Sequence, residues 1–172
     1  VAGRAAGQGS LSALLDARGR VLALMRVLVG SDTVWLELPA ERLEAVEALL
    51  VHYRVAAPVR FARPATAVLA VIGPEARVAP GRAGAEIPEL AAEDHVARTL
   101  AGVPALIARA SDVPAQGLAL HVPAEAAASV RGALGAAGAV AVGAATLDAL
   151  RVEDGIAWYG PDVTEANLMH EA

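Results

Sequence analysis

Leu36-Glu-Leu-Pro-Ala-Glu41 returns in the second half of the chain as Leu120-His-Val-Pro-Ala-Glu125. In each copy a β-prone run stops at a proline, and a helical pattern opens there, where the missing N–H costs nothing. Upstream of the first copy, Thr33–Leu38 alternates: Val34, Leu36 and Leu38 share one face, and Thr33, Trp35 and Glu37 the other, as in a half-buried strand. Downstream, Leu43, Val46, Leu50 and Tyr53 form an apolar stripe opposite Glu41, Glu44 and Glu47. Around the second copy, Gly117–Val122 alternates with Leu118, Leu120 and Val122 inward, and a helix runs from Pro123 to about Ala137. Strand–Pro–helix junctions recur in many folds, so coincidence is one account of the echo. The other is a duplicated strand–strand–helix module of the ferredoxin-like kind, two copies making one intertwined α+β domain.

Outward from the repeat, Ser10–Leu15 and Arg20–Val29 are apolar and β-prone, with Asp16-Ala-Arg-Gly19 between them. Asp opens such a turn and Gly closes it, which predicts a hairpin. Gly30-Ser-Asp32 is a second turn. Pro58–Phe61 and Ala65–Ile72 read as strands, the second a continuous apolar run expected at the centre of a sheet with both faces covered. From Gly73 to about Glu93, prolines and glycines predict a loop-rich linker between a first half, about 1–73, and a second, about 94–172. Val103–Ala108 is a candidate strand, Ala144–Val152 a short helix, and Glu153–Ala172 a polar, irregular tail.

Composition excludes more than it selects. The chain has 172 residues, 56% of them hydrophobic, and a mean hydropathy of +0.48, which rules out intrinsic disorder. All 14 basic residues are Arg, so no Lys can form a Schiff base or line a phosphate loop. The net charge of −5 argues against direct nucleic-acid binding. With no Cys there is no disulfide frame, thiolate metal site or thiol nucleophile. Val21–Val29 is broken by Arg26 and is far shorter than a membrane span. The amino-terminal residues lack the layout of a signal peptide and an initiator Met, so a cytoplasmic protein, processed or truncated, is expected. His52, His95, His121 and His170 show no ligand spacing and read as surface or capping residues, His121 on the outward face of its strand; no metal is expected. Gly7-Gln-Gly9 lacks the third glycine of a dinucleotide loop. Glu93-Asp94 and Glu153-Asp154 are adjacent acids that do not face one another and read as solvated.

The tail carries a more specific pattern. Leu150-Arg-Val-Glu-Asp-Gly-Ile-Ala-Trp-Tyr-Gly-Pro-Asp162, followed by Glu171-Ala172, resembles the R-[LIV]-E-x-G-[IM]-x-x-Y-G-x-D…E-A block of the folate-binding YgfZ/aminomethyltransferase family. Leu14-Leu-Asp-Ala-Arg-Gly-Arg-Val-Leu-Ala23 is similar to that family's first hairpin, L-L-D-x-[KR]-G-R-V-L-A, and Gly117–Glu125 falls between them in order. The resemblance implies a duplicated, strand-swapped α+β folate-binding domain and a reduced folate, tetrahydrofolate or a derivative, as ligand. It also implies site residues. Arg151 and Glu153 would orient the pocket, Trp158 and Tyr159 would wall a flat ring, and Arg20 and Arg26 would reach an anionic glutamyl tail.

Departures from the family's pattern choose the branch. Transferases carry a paired acid in the hairpin where this chain has Ala23 and Leu24. They carry a pterin-bonding glutamate where it has Ala119, and an arginine where it has Leu147. Each buried partner lost from a polar site costs about 1–3 kcal/mol, so no residue here is assigned a catalytic role. The expectation is a non-catalytic YgfZ-type protein that supports iron–sulfur protein maturation or tRNA modification, with iron–sulfur enzymes as clients and no membrane partner. That branch's K-G-C-x-x-G-Q-E motif follows the E-A pair; the chain stops at Glu171-Ala172 and also lacks the portion that precedes the first hairpin. It is therefore expected to be a fragment or a shortened relative, and an apolar edge left by the absent portions would favour a homodimer. Two rivals remain: a folate-dependent aminomethyltransferase of the glycine-cleavage type, and an interaction domain that has lost its ligand.

Overall fold

The computed structural model describes residues 3–171. Val1, Ala2 and Ala172, the last closing the Glu171-Ala172 pair, lie outside the described residues, as does the side chain of Gln116. The first sheet is a meander of β1 (Gly9–Leu15), β2 (Val21–Val29) and β3 (Val34–Glu37). The predicted hairpin is present: Asp16 accepts N–H bonds from Arg18 and Arg20 at 2.8 and 2.9 Å, and Gly19 takes the positive φ of 81° that the turn needs. Arg26 lies opposite Glu37, and Leu28 opposite Trp35. Strand alternation therefore divides the sheet. Ala23, Met25 and Val27, with Leu14, Leu36 and Leu38, pack on Val46 and Leu50 of α1 (Leu43–Tyr53). Leu11, Ala13, Leu24, Arg26 and Leu28 fall on the opposite face.

After α1 come β4 (Thr66–Val71), α2 (Val78–Arg82), β5 (His95–Leu100), β6 (Val103–Arg109), β7 (Leu118–Pro123), α3 (Ala127–Ala136) and α4 (Ala144–Glu153). Their strands form an antiparallel sheet in the order β4-β7-β6-β5. β5, β6 and β7 repeat the meander of the first sheet, so each helix follows three strands rather than two. β4 follows the first helix yet pairs with β7, the last strand of the second meander, and this exchange interlocks the halves. One face of the second sheet packs Leu118, Leu120, Val122, Ile107 and Val71 on Ala79 of α2 and on Val130 and Leu134 of α3. The layers run α1, first sheet, second sheet, then α2 and α3. The mixed α+β architecture with antiparallel sheets is the expected one.

The repeated junctions match closely. Pro39 has φ −54° and ψ 136°, and Pro123 φ −52° and ψ 136°. Each opens a single 3₁₀ turn, Ala40–Arg42 or Ala124–Ala126, that tightens into the α-helix.

Several local expectations are corrected. The run Ala65–Ile72 forms an edge strand, not a central one, and Val68 is 46% exposed. It is continuously apolar because Leu69 and Val71 face the helix-side core while Val68 and Ala70 face a cavity. No strand forms over Pro58–Phe61; prolines at 58 and 64 leave few N–H groups for a ladder. The loop-rich stretch contains α2, with Pro80 in its first turn where no N–H partner is required. β5 carries no alternating apolar pattern, because Ala97, Arg98 and Thr99 leave it exposed at an edge. His121 is buried rather than outward, since the outer face of β7 meets the first sheet instead of water.

The tail folds back onto the first hairpin. Val21 donates its N–H to the Asn167 carbonyl at 3.0 Å, and Arg20 forms a β-bridge with Leu168. Among the described residues no helix is long and apolar enough to cross a membrane.

Candidate functional site

A cavity of about 770 Å³ lies between the two sheets, within the range of small-molecule sites. Leu11 and Ala13 of β1, Leu24 of β2, Val68 and Ala70 of β4 and Ala119 of β7 supply its apolar walls. Leu147 of α4 and Trp158 and Tyr159 of the tail also line it. Of the hairpin pair Ala23 and Leu24, alternation sends only Leu24 into the cavity; Ala23 packs toward α1.

At one end sits a polar cluster with Arg26 at its centre, 1% exposed. Its Nε donates to Glu93 at 2.7 Å, its Nη1 to Glu37 at 2.5 Å, and its Nη2 is ion-paired with Asp112. Burying a guanidinium costs several kcal/mol unless its donors are matched, and here three carboxylates match them. Glu37 belongs to the first sheet; Glu93 and Asp112 belong to the turns that flank β5 and β6, so the cluster pins one sheet to the other. Glu93 holds a left-handed backbone, φ 66°, an unfavourable geometry for a residue with a Cβ. It is fixed by its bond to Arg26 and by the N–H and hydroxyl of Ser111.

His121 Nε2 lies 3.0 Å from the same Glu37 oxygen that Arg26 contacts. Burial pushes the Glu37 carboxyl up, but the close approach of His121 and the Arg26 charge outweigh it and leave the group below its usual range. His95, on β5, is held below the ordinary imidazole value. Burial is the main cause, opposed by Asp94 and reinforced by repulsion from His121. The Nδ1 of His95 is buried without a hydrogen-bond partner.

Trp158 and Tyr159, expected as a ring wall, both line the cavity, and Trp158 Nε1 donates to the Asp112 carbonyl at 3.2 Å. Arg151 is buried behind them. It bonds Asp148 at 2.8 Å, Asp162 at 2.6 Å and the Ile156 carbonyl at 3.2 Å, and its guanidinium stacks 4.9 Å over the Trp158 ring. Its carboxylate partners are Asp148 and Asp162, not Glu153, and it acts on the cavity by positioning Trp158. Glu153 is exposed at the end of α4 and does not line the cavity. Arg20 is exposed and reaches the Glu165 carbonyl at 3.4 Å, also away from it. Arg26, expected at a ligand's anionic tail, has its guanidinium enclosed by carboxylates instead.

Sequence reasoning missed Glu37, Glu93, Asp112 and His121. A signal for two of them was present. Glu37 and His121 occupy the same position in the two copies of the repeat, and the structure brings these two side chains together. No group of three or more His, Asp or Glu among the described residues is placed to hold a metal ion.

The family model of the GCVT N-terminal domain matches residues 1–172. Among solved structures, the chain is similar to the glycine cleavage system aminomethyltransferase T from Bartonella henselae, with a TM-score of 0.84 and 23% identity. The match covers 95% of this chain and 45% of that one, so the chain spans less than half the length of that protein. No curated protein matches.

Proposed function

Since the chain belongs to the family of the GCVT N-terminal domain, we propose that the cavity between its sheets binds a reduced folate without transferring a one-carbon group. The observation that carries this reading is a convergence. Leu24, Ala119 and Leu147 stand where the transferase pattern has an acid, a glutamate and an arginine, and these three apolar residues come from three separate elements to line one cavity. The residues present fit a pteridine. Trp158 and Tyr159 offer flat apolar surface, and Glu37 offers a carboxylate at the cavity wall. When bound, a reduced folate supplies a carrier nitrogen for one-carbon groups; the chain's own residues would hold the ring and keep water from it. The wider role we propose is YgfZ-type, in support of iron–sulfur enzymes or of tRNA modification, in the cytoplasm.

Anaerobic calorimetric titration with tetrahydrofolate tests the binding. Saturable heat in the micromolar to low-millimolar range supports it, and no heat at millimolar ligand overturns it. A glycine-cleavage assay separates the branches, since folate-dependent ammonia release would restore the transferase. Loss of iron–sulfur enzyme activity in cells that lack the gene would support the maturation role.

A further inference from the structure

Among the described residues that line the cavity, the charged ones are all acids: Glu37, Glu41 and Asp112. Arg26, beneath it, already faces three carboxylates, and Arg151, behind the aromatic wall, faces two. An apolar cavity with this charge pattern favours a neutral or cationic edge rich in N–H donors over an anion. Of the three acids, Glu37 is the most firmly directed. Arg26 Nη1 and His121 Nε2 both meet its Oε2, and no bond from the described residues is seen to its Oε1. Asp112 turns its Oδ1 toward Arg26, and Glu41 sits on an exposed 3₁₀ turn. Glu37 is thus a half-buried carboxylate with one oxygen anchored and the other available. The same two neighbours that orient it also keep it ionised.

We propose that Glu37 is the specificity-determining residue of the cavity, accepting N–H bonds from the amino-pyrimidine edge of a pteridine ring; this rests on the folate reading above. A 2-amino-4-oxo ring presents its ring N–H beside an amino group, two near-parallel donors that the one available oxygen, Oε1, can accept together. A 2,4-dioxo ring flanks the same N–H with carbonyl oxygens, which repel the carboxylate. A hydrogen bond to a charged group is strong enough for the difference to reach about tenfold or more in affinity.

The test is competition against tetrahydrofolate by two small rings, 6-methylpterin and 6-methyllumazine, on the intact chain and on Glu37→Gln. The expected result is that the pterin competes about tenfold better with the unmodified chain, and that Glu37→Gln shrinks the difference below about threefold. Circular dichroism shows whether the variant folds; if it does not, discrimination by the unmodified chain decides. Equal competition by the two rings, or failure of both to displace bound tetrahydrofolate, overturns the proposal and leaves the folate reading standing. Absence of tetrahydrofolate binding overturns both.

Discussion

Replacing Arg26 with methionine keeps most of the side chain's length and removes the charge that Glu37, Glu93 and Asp112 share. The carboxylates would then repel one another in a poorly hydrated space, which costs about 3–5 kcal/mol when one partner of a buried pair is lost. Urea denaturation should show that loss, and Arg26→Lys should recover only part of it, since one ammonium cannot meet three carboxylates in the fork geometry of a guanidinium. The pH dependence follows from two neighbours. Glu37 has a depressed folded value, so its stabilising contribution is fully present above the ordinary glutamate range, about 4.3. It disappears as pH falls through that lower folded value. His95 is also depressed, and a buried neutral imidazole stabilises fully above its ordinary value of about 6.5 and less as pH falls below it. Both push the same way, so the urea midpoint should begin to fall below about pH 6.5. His95→Gln should flatten the upper part of that decline, and Glu37→Gln the lower part.

Gly9 opens β1 against the turn that carries Glu93. A Cβ built there would stand 2.3 Å from the Glu93 carbonyl oxygen and 2.8 Å from that of Val27, both backbone atoms that cannot swing aside. Gly9→Ala should therefore cost about 1–3 kcal/mol, measurable as a lower urea midpoint, and should loosen the polar cluster with it. At this scale the sequence was legible wherever an element obeyed its own periodicity. The first hairpin, β3, α1, β6, β7, α3 and α4 all carry their pattern within a few residues. What escaped was whatever depended on a distant neighbour. β4 is apolar on both faces, and only the assembled sheets tell which face meets a helix and which a cavity. The Arg26 cluster draws on four chain segments from Arg26 to Asp112, so no window of sequence contains it. That Trp158 and Tyr159 line one cavity was easier to read, because they fall in one short block with the Arg151 whose guanidinium stacks on Trp158.

At the scale of the whole molecule, the exchange of β4 into the second sheet makes each half dependent on the other. Residues 3–73 expressed alone would contain the segments of a three-stranded sheet and a helix but leave β4 without its ladder, and residues 74–172 would lack that strand. Neither piece should unfold cooperatively in urea, while an equimolar mixture should regain a single transition followed by circular dichroism. Retention of a sharp transition by either piece alone would show that the interlock is not what holds the sheets. The interlock has a further consequence for the protein's birth on the ribosome. About fifty residues separate β4 from β7, so at roughly 5–20 residues per second the strand waits some 3–10 s for its partner. For those seconds Val68, Leu69 and Val71 form a naked, sticky ribbon. Slowed translation of residues 72–117 would lengthen that wait and raise the fraction of newly made chains lost to aggregates.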